Sequence, residues 1–117
     1  MLNRVEAGLI GQNEAEKFLT GKGYRILERN YRVKSGEIDL IARDGEYIVF
    51  IEVKTRTNLL YGYPCEAVGG VKQRRIRQTA LHYITRHRLS GDFRFDVVEV
   101  LKQKDGAPEI THLENAF

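Results

Sequence analysis

The chain has 117 residues, 42% of them apolar and 30% charged, with a formal net charge of +3. That balance fits a folded domain with one modest core and excludes an intrinsically disordered chain. No run approaches the roughly 18 apolar residues of a membrane span, no apolar signal segment opens the chain, and Cys65 is the only cysteine, so an internal disulfide and a cysteine-based zinc site are both excluded. The expectation is a single cytoplasmic domain over residues 1–117 with no membrane contact.

In chain order, a first helix starts at residue 5 or 9 and runs to 20, with Ala7, Ile10, Ala15, Phe18 and Leu19 at helical spacing and "GKG" ending it. A strand follows over 24–33. "KSG" turns the chain into a second strand, 37–43, and Asp44-Gly45 signals a tight hairpin into a third, 46–54. Residues 55–70, "TRTNLLYGYPCEAVGG", have no clean period and read as a long loop of the kind that often carries function. A second helix spans 71–88, with Ile76, Ala80, Tyr83 and Ile84 as its buried stripe. Strands over 93–101 and 110–113 complete the order αβββαββ, an α/β fold with a mixed sheet flanked by two helices.

The hairpin places Glu37, Asp39, Glu52 and Lys54 inside the most apolar stretch of the chain. A two-residue Asp44-Gly45 loop opposes residues whose numbers sum to 89. Glu37, Asp39, Phe50, Glu52 and Lys54 then share one face, and Ile38, Leu40, Val49, Ile51 and Val53 take the other. Asp39 and Glu52 become diagonal neighbours on the order of 7 Å apart, a span one divalent ion can bridge. Without a cation, like charges across a strand pair repel. Hard oxygen donors select Mg²⁺ or Mn²⁺ over zinc. The competing reading is a surface network in which Lys54 and nearby arginines neutralise the acids. Glu14 lies between Ile10 and Phe18 on one helical face, where it either reaches the same pocket or sits as a glutamate at the edge of a buried face, whereas Glu16 lies off that face and is expected in solvent.

Positive charge gathers elsewhere. "KQRRIR", residues 72–77, holds Lys72, Arg74, Arg75 and Arg77 and no acid. Such a patch is either a solvated helix face or a phosphate-binding surface. His82, His87 and His112 lack the spacing of a metal site or a triad. Asp96 is expected to pair locally with Arg94. Tyr61 and Tyr63 are candidates for stacking on unpaired bases.

Asp39 followed by "EVK" at Glu52, Val53 and Lys54 matches the D-x(n)-E-x-K pattern of the PD-(D/E)xK nucleases, and the element order resembles their restriction-endonuclease-like core. Over nearly the whole chain, "GQNEAEKFLTGKGYRILERNYR", "GEIDLIARD", "VFIEVKTR", "YGYP" and "RFDVVEV" resemble the bacterial YraN family, considered similar to Holliday-junction resolvases. The residue before Asp39 is Ile38 where the motif has proline. The resemblance implies Asp39 and Glu52 as metal-binding acids, the Val53 carbonyl as a further ligand, Lys54 as the motif lysine, and Glu14 as the helix glutamate that acts through a bound water. It also implies a Mg²⁺- or Mn²⁺-dependent endonuclease acting on branched or structured DNA, with Arg56, Lys72, Arg74, Arg75 and Arg77 on phosphates. It admits a homodimer, for which the sequence carries no interface signal. The alternative function is a non-catalytic nucleic-acid-binding module whose pocket is vestigial or depends on a partner.

Overall fold

The computed structural model describes residues 4–56, 68–103 and 105–117. Helix α1 (Arg4–Gly21) precedes strands β1 (Arg25–Val33), β2 (Gly36–Asp44) and β3 (Tyr47–Arg56), helix α2 (Gly70–Arg86), and strands β4 (Asp92–Leu101) and β5 (Glu109–Leu113). The expected order is the observed one, with ends displaced by only a few positions. Tyr61, Tyr63 and Cys65 lie outside the described residues. Among the described residues no helix is long and apolar enough to cross a membrane.

The strands form one sheet in the order β1-β2-β3-β4-β5. Every neighbouring pair is antiparallel except β3 and β4. A parallel pair needs a crossover connection, and α2 supplies it. Alternation along β3 decides which helix each side chain meets. Val49 and Ile51 join Ala15 and Leu19 of α1 in one cluster, while Ile48 and Phe50 join Ile76, Ala80 and Tyr83 of α2 in another. The two helices therefore cover opposite faces of the sheet.

Helix α1 ends in a Schellman arrangement. Tyr24 N–H donates to the Leu19 carbonyl at 3.0 Å and Gly23 N–H to the Thr20 carbonyl at 3.0 Å, satisfying acceptors the helix leaves open. Its sheet-facing line is Gly11, Ala15 and Leu19, all buried, so the small residues of the stripe set the close approach. A Cβ on Gly11 would stand 1.9 Å from Thr55 Oγ1. Gly11→Ala is expected to destabilise the fold by about 1–3 kcal/mol despite alanine's better helix propensity. Adding Thr55→Ala should recover part of that loss in a denaturation double-mutant cycle. Glu16, expected in solvent, is instead held by the Arg29 guanidinium of β1.

The hairpin turn differs from the expected one by one position. Asp44 pairs with Tyr47, so the loop is Gly45-Glu46, and opposed residues sum to 91 rather than 89. Gly45 has φ +59 and Glu46 is not at positive φ, which fits a type II′ turn with glycine first rather than the type I′ turn of an Asp-Gly loop. The register slips by two, an even number, so every β3 side chain keeps its predicted face. On β2, Ile38 departs from its predicted face: it packs in the α2-side cluster with Tyr31, not with Leu40 on the α1 side.

Strand β5 is tied down by a buried polar cluster at the hairpin end. Asp96 is fully buried. It accepts from Arg94 Nε and Nη2, both at 2.9 Å, from His112 Nε2 at 2.7 Å, and from the Asn115 N–H at 3.0 Å. Arg94 reaches on to Asp44 at 3.0 Å and to the Tyr24 hydroxyl at 2.5 Å. The expected Arg94–Asp96 pair exists, and His112 has a partner that its sequence spacing did not reveal. Burial alone would raise the Asp96 carboxyl, but its bonds from His112, Arg94 and Asn115 outweigh that and hold it below the usual range.

Candidate active site

The β2–β3 ladder has its last pair at Leu40 and Ile51. Two positions further on, the same register would face Ile38 with Val53, yet the Val53 N–H donates to Asp39 Oδ2 at 2.8 Å. The aspartate carboxylate thus replaces a backbone acceptor where the strands part. In an extended strand the N–H and C=O of one residue face the same neighbour, so the Val53 carbonyl is directed toward this opening as well. Extending that register by one residue sets Asp39 against Glu52, where the expected loop would have made them diagonal.

Both acids line a cleft of about 620 Å³, together with Glu37, Gly36, and Lys72 and Arg75 of α2. Glu52 is buried, and Lys72 Nζ lies 2.5 Å from its Oε1. Lys54 Nζ lies 3.5 Å from the same oxygen. Helix α2 opens on Gly69 with no side-chain cap, and Lys72 projects from its first turn across the cleft.

The electrostatics are unbalanced. Burial, then the neighbouring Glu52 carboxylate, raises Asp39 from 3.8 to about 7, against the lowering effect of the Val53 N–H. Burial and the adjoining Lys72 pull Lys54 below the usual lysine value, against the attraction of Glu52. Burial also works against the charge on Lys72, but its contacts with Glu52 and Lys54 prevail and hold it above the usual value. A carboxyl whose folded value is raised binds a proton more readily folded than unfolded, so its ionisation costs stability as pH climbs from about 4 to 7 and the cost stays constant above. Asp39→Asn is therefore expected to be more stable than wild type at pH 8 in chelator, with the advantage shrinking by about 1–3 kcal/mol at pH 5 in urea denaturation.

The donor set suits a hard divalent cation. Among the described residues no three acidic, histidine or cysteine side chains gather closely enough to form a complete cage. Two carboxylates are nevertheless what a Mg²⁺ site commonly takes from protein, with water and phosphate oxygens completing the shell. Ionising Asp39 beside Glu52 is unfavourable as the pocket stands, and an ammonium already rests on Glu52. Both observations fit a place where positive charge belongs.

Three expectations are corrected. Glu14 does not enter this cleft. It pairs with Lys17 at 3.6 Å and lines a separate cavity with Ile10, Val100 and Lys102, because α1 covers the face of the sheet opposite to that of Asp39 and Glu52. Among the described side chains of α1 the buried polar one is instead Gln12, which shares a cavity with Arg32 and Glu37 at the edge of the site. Arg56 is drawn onto Glu99 of β4, Nε to Oε2 at 2.6 Å, with 10% of its side chain exposed. An uncompensated buried Glu99 would be costly, so Arg56 is not available to a phosphate. Arg77, five positions beyond Lys72, turns to another side of α2 and stacks over Phe95 and Phe117, 5.0 and 5.7 Å from the ring centroids. Arg74 remains exposed, its guanidinium beside Gly70 at the helix start.

Fold and cleft together define an α/β protein with an aspartate–glutamate–lysine constellation at an opened hairpin. Residues 11–100 match the uncharacterised protein family UPF0102, the YraN family, and the chain belongs to it. It is 50% identical over 111 residues to a UPF0102 protein of Alkaliphilus metalliredigens, covering 94% of this chain and 96% of that one. A UPF0102 protein of Caldicellulosiruptor saccharolyticus is 44% identical over 118 residues, covering 99% and 100%. One from Clostridioides difficile is 45% identical over 118 residues, also covering 99% and 100%.

Proposed function

We propose that the protein is a metal-dependent endonuclease that hydrolyses phosphodiester bonds in branched or structured DNA. The observation that carries this reading is the convergence of Asp39, Glu52 and Lys54 at one opening of the hairpin, with Glu52 in contact with both Lys54 and the α2 lysine. Asp39 and Glu52 would hold Mg²⁺ or Mn²⁺, with the Val53 carbonyl on the same edge. When bound, the ion supplies an activated water and neutralises charge on the phosphoryl group.

Lys54 shares the face of Glu52 and is set to stabilise the negative charge that develops on the phosphate. Arg75 in the cleft and Arg74 at its rim hold neighbouring phosphates, which fixes position without reading bases. Hydrolysis breaks one P–O ester bond, and water supplies the hydroxyl on phosphorus and the proton on the departing oxygen. Among the described residues both helices cover the sheet and no further element is left to enter a groove and read base edges, so shape is the property this surface can select.

Incubating the protein with four-way, flapped and linear DNA, each with Mg²⁺ or Mn²⁺, tests this reading. Metal-dependent cutting of the branched substrates in preference to linear duplex is the expected result. Binding without cutting under every condition would favour the non-catalytic module, and neither binding nor cutting would remove both readings.

A further inference from the structure

We propose that Lys72 is a tethered counter-cation: it occupies Glu52 in the metal-free protein and leaves when a divalent ion enters the cleft. This rests on the reading of Asp39 and Glu52 as a cation site. It goes beyond that reading by giving Lys72 a role separate from the phosphate contact that its place in a basic run suggests.

Three observations carry it. First, a single oxygen, Glu52 Oε1, faces two ammonium groups, Lys72 at 2.5 Å and Lys54 at 3.5 Å, while Asp39 stands opposite with Oδ2 committed to the Val53 N–H. Second, the two lysines differ in their freedom. Lys54 is on the strand, with 24% of its side chain exposed, and its position is set by the sheet. Lys72 is in the first turn of α2, with 42% exposed, and its flexible four-carbon stem can swing to solvent without disturbing the core. Third, the charges balance. With Asp39 ionised, the carboxylates Glu37, Asp39 and Glu52 and the cations Lys54, Lys72 and Arg75 sum to zero, and adding a dication without removing a charge leaves +2 in a partly buried cleft, where like charges repel strongly. Withdrawing Lys72 is the smallest change that relieves this, and it frees the ammonium at the cleft mouth beside Arg75.

The device has a consequence for folding as well as binding. A lysine on Glu52 keeps the buried acid compensated before any ion arrives, and the ion must then compete with it. Metal affinity is set lower than the carboxylates alone would give.

The test is calorimetric titration of Mg²⁺ and Mn²⁺ into the DNA-free protein, comparing wild type, Lys72→Met, Lys72→Arg and Arg75→Met. Lys72→Met should bind either ion about tenfold more tightly than wild type. Lys72→Arg, which keeps a cation in reach of Glu52, should bind no more tightly than wild type. Arg75→Met removes a charge from the same cleft and reports the general electrostatic background. Its affinity should rise by no more than about twofold. Equal affinity of Lys72→Met and wild type overturns the counter-cation role and leaves the cation site standing. Equal tightening by Lys72→Met and Arg75→Met also overturns it, since the effect is then one of overall charge. No binding by wild type or any variant overturns this role and the cation site together.

Discussion

Lys54→Ala will lower the rate of metal-dependent DNA cleavage by about 10²–10³-fold, the loss typical of removing one positioned donor from a developing charge. DNA affinity should change by no more than a few-fold, because the proposed phosphate contacts lie elsewhere, along α2. The reason lies in the strand: Lys54 follows Glu52 by two residues, so the pleat puts both on one face, and Nζ stays 3.5 Å from Glu52 Oε1. Lys54→Arg tests whether a point charge or a positioned ammonium is needed. The larger, planar guanidinium cannot occupy the same place beside Lys72, and little activity should return. Single-turnover cleavage with saturating protein separates this effect from binding. Equal rates for Lys54→Ala and wild type would remove Lys54 from the chemistry.

Asp96→Ala is the substitution expected to damage the fold most, by about 3–5 kcal/mol, since it strips the partner from buried charge and hydrogen-bond groups. Arg94 keeps Asp44 and Tyr24, but His112 loses its acceptor and the Asn115 N–H is left unpaired, so β5 keeps its backbone ladder to β4 but loses its side-chain anchor. A fall of about 10–20 °C in melting temperature follows for a chain of this size. The acid limb should change too. A carboxyl held below its unfolded value contributes stability above about pH 4 and loses it as pH falls through the folded value. Wild type is therefore expected to lose this contribution only below about pH 4, while Asp96→Ala should show a flatter acid limb. Because Asp96 is in register with Ile51, which packs on the α1 face, while the cleft opens on the α2 face, a destabilised variant should still bind metal at low temperature.

Most of the architecture was legible in the residues. Alternation in β2 and β3 located the acids on one face, and it survived an error in turn type because the register moved by an even number of residues. What the chain did not disclose depends on tertiary reach. Glu14 has the helical spacing of an inward residue, but the topology put its helix on the opposite face of the sheet. Arg56 and Lys72 both read as exposed basic residues, yet each found a buried glutamate, Glu99 and Glu52, that only the assembled sheet brings near. His112 meets Asp96 through the β4–β5 register, a pairing between residues 16 positions apart that no local pattern records.

The most direct measurement of the central claim is thermal unfolding of wild type and Glu52→Gln while Mg²⁺ or Mn²⁺ is titrated at constant ionic strength. Wild type should be stabilised by the divalent ions and not by matched monovalent salt, approaching about 2.7 kcal/mol at a hundredfold excess over the dissociation constant, with Glu52→Gln unresponsive. A wild-type melting temperature that ignores divalent ions, or a variant that responds equally, would contradict the account.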